Sequence, residues 1–547
     1  MRSEDPQSRA AKSAAEALSP EAVAATERAL RELLELVGED ADAHHHYARF
    51  LAGQGRNEAA AAEFRRALEL RPEFPEALRH LAALLCARRE FADAITLLRR
   101  VVAIRPDDVQ ALCDLGNALV NVKGGREAAV FLLHALRLAP DEYRLHSNLG
   151  LAYTEAGDFA QAEAAFREAL RIKPMFVPAH NNLANLYIVM GRHEEALACL
   201  ELAENLERGN LITICNRAIA LLSMGDFARG WRDYQRRWDR PQTPHRAYAQ
   251  PLWTGQSLEG RRILLYTDEG LGDRIQFIRY AGLLKSRGAR VICECPMPLM
   301  DVFRTAHGVD ELVQLGNALP VFDLHAPLLG LPHAFATTLE NVPAPVPYLA
   351  PEPERVAQWR RYFSQRADAG TIGSPVGTSA SQGGAFLVGI AWQGNPNHQW
   401  DRLRSMPLMQ FEALAAIPGV RLVSLQRGPG IEQIGPFQRM TGNRMIVPTA
   451  GEQSTPGDLA DTTAILECLD LVVTVDTATA HLAGALGRRV WVALATVADW
   501  RWMADRHDSP WYPTMRLFRQ KRLDDWDELM MRVAVSVAGA MGQRRNT

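Results

Sequence analysis

Four prolines constrain what this chain can fold into. Pro72, Pro106, Pro140 and Pro174 stand 34 residues apart. With 31 prolines in 547 residues, three further matches at one fixed spacing have a chance probability on the order of 10⁻⁴. Small residues keep the same spacing at Ala48, Ala82, Gly116, Gly150, Ala184 and Ala218. They keep it again at Ala60, Ala94, Ala128, Ala162 and Ala196, and at Ala67, Ala135, Ala169 and Ala203. Each column alone is weak in an Ala-rich chain, but their shared phase is not. A period of this length means stacked repeats rather than one central core.

The period fits one helix pair per repeat. Small residues belong where helix A meets helix B, because the two backbones must approach closely. The proline ends helix B, since its ring and missing N–H break any continuation. Gly55, Gly157, Gly191 and Gly225 fall in the A–B turn, where a left-handed cap favours glycine. The pattern resembles the tetratricopeptide repeat family over residues 41–238, as five full repeats and a partial sixth. Residues 1–40 read as an N-terminal tail and a capping helix. Such stacks form superhelices with a concave face.

On that face Asn148, Asn182 and Asn216 share one helix A position, and Asn117 and Asn185 share another. The array resembles that of eukaryotic protein O-linked N-acetylglucosamine transferases, in which an asparagine ladder holds a peptide backbone. The resemblance implies an acceptor peptide on these five residues. The plain alternative is a tolerated polar residue on an exposed helix face. The run His44-His45-His46 is no metal site, because adjacent helical side chains diverge by 100°.

Composition narrows the class. A net charge of -3 gives no global field for nucleic acid or an anionic membrane. No run of 18 apolar residues spans a membrane, and the N-terminus lacks the apolar core of a signal peptide. Seven scattered cysteines with no CxxC pair favour neither a disulfide framework nor a zinc site. A reducing, cytoplasmic home is expected.

After the GWRDYQRRW segment (230–238) the period stops, and residues 239–260 read as a connector. Apolar runs at 263–267, 289–295, 386–392, 420–426, 469–477 and 488–494 then alternate with helical segments. That is the pattern of α/β layers around parallel sheets. Residues 364–386 are Ser/Gly/Ala/Thr-rich and read as a linker. Two α/β lobes are therefore expected, 239–363 and 387–547, with ligands at the carboxyl ends of the strands.

Three segments carry chemistry. In Val475–Gly487 a strand ends at Asp476 and a helix begins at once, with Thr477 or Thr479 as potential caps. Its free N–H groups suit a phosphate, and His481 lies four residues after Thr477 on the same face. In Glu269–Arg274, Gly270 and Gly272 let a loop approach a ligand, and Asp273 starts a helix, where it is equally an N-cap. In Gly389–Ser405 and Ser424–Gly428, Asn395, Arg404, Gln426 and Arg427 could clamp an anion, or stand as ordinary surface groups. A DxD at Asp525–Asp527 falls in a helical stretch and reads as a solvated face.

GLGD, GIAWQGN and VDTATAHLAGALG, in that order, resemble the heptosyltransferase-like glycosyltransferases of the two-lobed GT-B fold. With the 230–238 segment, FDLHAPLLGLP (322–332) and DWRWMADRHDSPWYPTMRLFRQ (499–520), the chain is similar to bacterial fusions of tetratricopeptide repeats to such a domain. The resemblance implies Asp273 as general base, with Gly270 and Gly272 in the acceptor loop. It places Asp476, Thr477, Ala478, Thr479 and His481 at the donor sugar and diphosphate. Asn395, Arg404, Gln426 and Arg427 join them, the arginines neutralising the leaving group. Ala478 stands where the family usually has glycine. No metal or other cofactor is implied. Trp500, Trp502, Trp511 and Tyr512 either pack the terminal helix across both lobes or border the nucleotide.

The function expected is transfer of a sugar from a nucleotide-sugar donor to a Ser or Thr hydroxyl of a protein. Relatives of this layout make flagellin one candidate acceptor. The rival expectations are a glycan or lipid-linked acceptor, with the repeats as a docking module, and a non-enzymatic scaffold with a decayed transferase domain.

Overall fold

The computed structural model describes residues 19–37, 39–240, 246, 248–266, 270–367, 385–398, 401–443, 445–448, 459–496 and 498–545. The chain divides into two compact units, residues 1–186 and 187–547.

The first unit is helical. Helix α1 (Pro20–Val37) precedes four pairs. These are α2 (Ala41–Gly53) with α3 (Asn57–Leu70), and α4 (Pro75–Ala87) with α5 (Phe91–Ile104). Then come α6 (Val109–Asn121) with α7 (Gly125–Leu138), and α8 (Tyr143–Ala156) with α9 (Phe159–Ile172). The small-residue columns lie in the contacts between paired helices. A Cβ on Gly116 would lie 2.7 Å from Leu132 Cγ, and one on Gly150 would lie 2.5 Å from Phe166 Cε1. The consecutive histidines go to three different neighbours: His44 to Glu63, His45 to His80, and His46 to the Asp42 carbonyl. They do not converge.

The turns extend the period beyond what composition reveals. Gly55 and Gly157 take φ of 71° and 87°. At the two intervening turns Arg89 and Lys123 take φ of 64° and 63°. The left-handed region costs a side-chain-bearing residue roughly 1–2 kcal/mol. Glycine returns part of that gain as unfolded-state entropy. Arg89 is exposed, so Arg89→Gly is expected to stabilise the first unit by about 0.5–1 kcal/mol. A denaturant midpoint that falls in this variant would contradict the turn assignment.

Helix α10 (Val177–Val189) runs across the division. The second unit continues with α11 (His193–Leu206), α12 (Leu211–Met224) and α13 (Phe227–Tyr234), then a 3-10 turn at Gln235–Asp239. The expected domain boundary at 238 therefore falls inside this unit. Leu222, Phe227 and Trp231 share one buried core with the α/β part that follows.

That part holds two parallel sheets. The first has β1 (Arg262–Tyr266), β2 (Arg290–Cys295), β3 (Glu311–Gln314) and β4 (Leu324–Pro327), in the order β3-β2-β1-β4. The second has β5 (Phe386–Ala391), β6 (Val420–Ser424), β7 (Leu471–Val475), β8 (Val490–Leu494) and β9 (Met515–Arg519), in the order β6-β5-β7-β8-β9. The central strands are largely apolar and almost wholly buried because both faces are covered. Helices α14 (Leu271–Phe277) and α15 (Tyr280–Ser286) follow β1. Helix α16 (Pro353–Ala367) takes in the first four residues of the expected linker. Residues 368–384 of that linker, and 1–18 of the expected tail, lie outside the described residues. Helix α17 (Ala460–Glu467) precedes β7, α18 (Ala478–Ala485) follows it, and α19 (Trp526–Arg545) closes the chain. Asp525 accepts from the Glu528 N–H at the start of α19, so the DxD belongs to a helix cap. Among the described residues no helix is long and apolar enough to cross a membrane.

Candidate active site

The carboxyl ends of β1, β7 and β8 bring three loops together. Asp273 sits in the first turn of α14. Its Oδ2 accepts the Gly270 N–H at 3.1 Å, so Gly270 caps the helix and Asp273 supports it from inside. The other carboxylate oxygen is held by Arg501, from the turn Trp500–Trp502 beyond β8. Arg501 also donates to Asp499 at 2.7 Å and stacks on Trp500. Burial opposes its charge, yet Asp273 and Asp499 outweigh that and hold the guanidinium firmly protonated.

Gly272 has a steric reason. A Cβ there would lie 2.9 Å from His481 Cδ2 and 3.5 Å from its Nε2. The glycine lets the start of α14 meet α18 where His481 faces it. So the Gly-x-Gly of the first sheet and the histidine of the second are parts of one contact.

His481 is buried, lies parallel to Trp502 at 5.1 Å, and meets Tyr512 Oη through Nδ1 at 3.0 Å. Burial, then the charge of Arg501, pushes its pKa down to about 3, so the ring is neutral. Its tautomer follows from the neighbours. Tyr348 Oη takes an N–H from Arg279 at 2.9 Å and donates to the Ile275 carbonyl at 2.9 Å. It stands 3.5 Å from Tyr512 Oη, which leaves His481 Nδ1 as the nearer acceptor for the Tyr512 hydroxyl. His481 then carries its proton on Nε2, on the side facing Gly272.

Helix α18 starts without side-chain help. Thr477 occupies the N-cap position but makes no capping hydrogen bond, and its hydroxyl meets Thr474 Oγ1 at 3.1 Å instead. Neither threonine caps as expected, and the first-turn N–H groups receive no side-chain acceptor from the N-cap residue. Asp476, just past β7, is raised above the usual carboxylate range by burial and then by Asp499, against the pull of Arg404. Ala478 and Thr479 are half-buried in the first turn of α18.

The other expected donor residues divide. Arg404, in the turn Asp401–Arg404, lies 3.7 Å from Asp401 and close enough to Asp476 to act on its charge. Gln426 takes a different part from the one expected. Its Oε1 accepts the Trp392 and Gln393 N–H groups at 3.1 Å, and its Nε2 donates to the Gln393 and Pro429 carbonyls. An amide spent in this way braces two loops and has nothing left to offer a ligand. Asn395 is exposed and closes a local turn onto the Asn397 N–H. Arg427 is exposed.

The aromatic segment near 500–512 was open to two readings, packing of the terminal helix or a border of the nucleotide, and its tryptophans divide. Trp500 packs edge-on against Trp231 at 5.1 Å, and Trp511 packs against Phe227 and Phe277. Trp502 and Tyr512 border the site, both against His481. Sequence reasoning missed Arg501, Asp499 and Arg279. The first two stand in the quoted segment 499–520, beside the tryptophans that drew attention.

On the repeats, Asn117, Asn148, Asn182, Asn185 and Asn216 are all half-exposed. Asn148 reaches Cys113 Sγ and Asn182 reaches Ser147 Oγ, each in the preceding repeat. The amides thus also tie one repeat to the next. Among the described residues no three His, Cys, Asp or Glu side chains group to hold a metal ion.

Tetratricopeptide repeat profiles match residues 51–115, 113–175 and 153–210. This stretch is a tetratricopeptide repeat array. Protein FlbA of Caulobacter vibrioides is 26% identical over 343 residues, covering 59% of this chain. The chain spans about half the length of that relative, 54% of it. Similar solved structures are repeat proteins. One from Thermus thermophilus is 30% identical, covering 33% of this chain and 99% of its own, with a TM-score of 0.30. MamA from Desulfovibrio magneticus is 22% identical, covering 32% and 98%, with a TM-score of 0.30. YrrB, described as having an unusual peptide-binding site, is 20% identical, covering 34% and 96%, with a TM-score of 0.30.

Proposed function

We propose that the second unit is a metal-independent glycosyltransferase of the two-lobed GT-B kind. It moves a sugar from a nucleotide-sugar to a Ser or Thr hydroxyl of a protein, and the repeats bind that protein. One observation carries the reading. The carboxylate of Asp273, from the first sheet, shares one cluster with Arg501, and Gly272 beside it packs on His481 of the second sheet. Such a meeting of strand ends is where open α/β folds bind and transform ligands.

The roles follow from the chemistry of each group. The acceptor oxygen attacks the anomeric carbon, the diphosphate leaves with the bonding pair, and the acceptor proton passes to Asp273. Direct displacement inverts the anomeric centre. The first-turn N–H groups at Thr477, Ala478 and Thr479 and the Nε2–H of His481 are donors suited to the leaving diphosphate. Arg404 and Arg427 supply positive charge, and Asp476 serves the sugar hydroxyls. The half-exposed asparagines of the repeats are the peptide's partners, and flagellin is one acceptor to try. This chemistry belongs to a cytoplasmic enzyme.

A thermal-shift panel of UDP, GDP, ADP and CMP tests the donor site, because a ligand that binds only the native state raises the melting temperature. The expected result is a clear rise with one nucleotide. No rise with any of them would overturn the donor assignment.

A further inference from the structure

Asp273, given the acceptor proton above, already has both oxygens engaged. Oδ2 accepts the Gly270 N–H, and Oδ1 is held by one terminal nitrogen of Arg501. The first bond supports the start of α14. The second covers the oxygen that an acceptor hydroxyl needs, and protonating that oxygen would forfeit a charge-assisted hydrogen bond.

Arg501 is placed to change partners. The turn that carries it is pinned at both ends, by Trp500 against Trp231 and by the Ala504 N–H on the Ser223 carbonyl at 3.0 Å. Its other terminal nitrogen donates to Asp499 at 2.7 Å, and its guanidinium lies over the Trp500 ring at 4.2 Å. The backbone and half of the fork therefore stay, and the nitrogen on Asp273 is the part left to turn. A ligand can reach the contact. The Asp273 side chain is 21% exposed and that of Asp499 37%.

The same guanidinium acts on the donor side. Its charge, with that of Arg404, favours the ionised form of Asp476, and it bears on His481 as well. Arg501 thus answers to three carboxylates, Asp273, Asp499 and Asp476. A diphosphate entering beside them adds negative charge to a cluster rich in it. Its oxygens accept from a guanidinium in the fork geometry of a carboxylate, so it competes with Asp273 for the same N–H.

We propose that Arg501 has two positions, on Asp273 while the donor site is empty and on the donor's diphosphate once the nucleotide-sugar is bound. Donor binding uncovers the base, and without donor the base stays closed to a hydroxyl. This rests on the donor reading given above and adds a diphosphate ligand that also governs access to Asp273.

Calorimetric titration of the full chain tests it, with UDP, GDP and ADP each beside its own monophosphate, UMP, GMP or AMP. The native chain is expected to bind one diphosphate more tightly than its monophosphate. Arg501→Met should weaken that diphosphate roughly 10–100-fold, the worth of a hydrogen bond to a charged group, and the monophosphate far less. Asp273→Asn should do the opposite. The rival acceptor loses its charge, so the diphosphate binds at least about threefold tighter, the scale of one modest ion pair. A purely structural role for the pair predicts weaker binding in both variants. Asp273→Asn carries the test alone if Arg501→Met does not fold. Unchanged or weaker diphosphate binding in Asp273→Asn, an undiminished preference in Arg501→Met, or a native chain that prefers the monophosphates would each overturn the inference and leave a nucleotide site standing. A native chain that binds no nucleotide overturns the donor reading itself, and this inference with it.

Discussion

Arg279→Met is expected to destabilise the second unit by about 3–5 kcal/mol, because several buried oxygens lose their donor at once. The residue is 6% exposed and faces no carboxylate among the hydrogen bonds it makes. Its Nε donates to the Gln276 carbonyl at 2.7 Å. One terminal nitrogen reaches the Pro343 and Trp511 carbonyls, and the other reaches Tyr348 Oη. The guanidinium also lies 4.5 Å from the ring centres of both Tyr348 and Tyr512. Methionine fills much of the space, relieves the burial of a charge, and leaves four oxygens with a lost donor. Each of those losses costs roughly 1–3 kcal/mol when the oxygen stays buried, and the relief of charge burial offsets part of the sum. Arg279→Lys should also be damaging, since one ammonium cannot span this fork. Chemical denaturation measures both. A loss below about 1 kcal/mol in the methionine variant would mean that the carbonyls find other partners. The position also matters for the site, because Arg279 fixes Tyr348 and Tyr512, and Tyr512 fixes the proton of His481.

Arg279 shows why part of this molecule could not be read from its sequence. Its bond to Trp511 spans 232 residues, and that of Arg501 to Asp273 spans 228. Nothing local marks an arginine as one end of such a contact. What was legible had a local cause. The helix pairs were legible because crossing helices demand small residues in phase, as Gly116 and Gly150 show. The central strands were legible because burial on both faces leaves them largely apolar. Gly272 was read as letting its loop approach a ligand, whereas the close neighbour that needs the missing Cβ is His481. The strands β3, β4 and β9 were missed, β4 because four residues ending in proline are too short to show a pattern, and β3 and β9 because polar residues break theirs. β3 is a half-exposed ELVQ, and β9 carries Arg516 and Arg519 among its five residues. Lys123 and Arg89 hid two turns because the conformation persisted where glycine did not. Gln426 was misread because a polar residue at a strand end looks the same whether it serves a ligand or a loop.

Asp273→Asn should lower sugar transfer by about 10²–10⁴-fold, the usual worth of a general base, while the melting-temperature rise with the favoured nucleotide stays. Asparagine is nearly the same shape. Its Oδ1 can still accept the Gly270 N–H, so the start of α14 and the approach of Gly272 to His481 should persist. The substitution removes the ability to take the acceptor proton and the charge that faces Arg501. Arg501 keeps Asp499, so it is not left alone in a buried place. That is why asparagine is a cleaner test than alanine, which would remove the helix support as well. Both oxygens of Asp273 are already engaged, one by Gly270 and one by Arg501. An acceptor hydroxyl must therefore share the carboxylate with Arg501 or displace it, and Arg501→Met should alter transfer without abolishing the base. If Asp273→Asn transfers sugar at the native rate, the proton goes elsewhere and Asp273 is only the anchor of Arg501. If the nucleotide response disappears along with transfer, the carboxylate holds the two sheets in register, and the loss of rate says nothing about proton transfer. Only the loss of transfer with the nucleotide response intact separates a reacting carboxylate from a structural one.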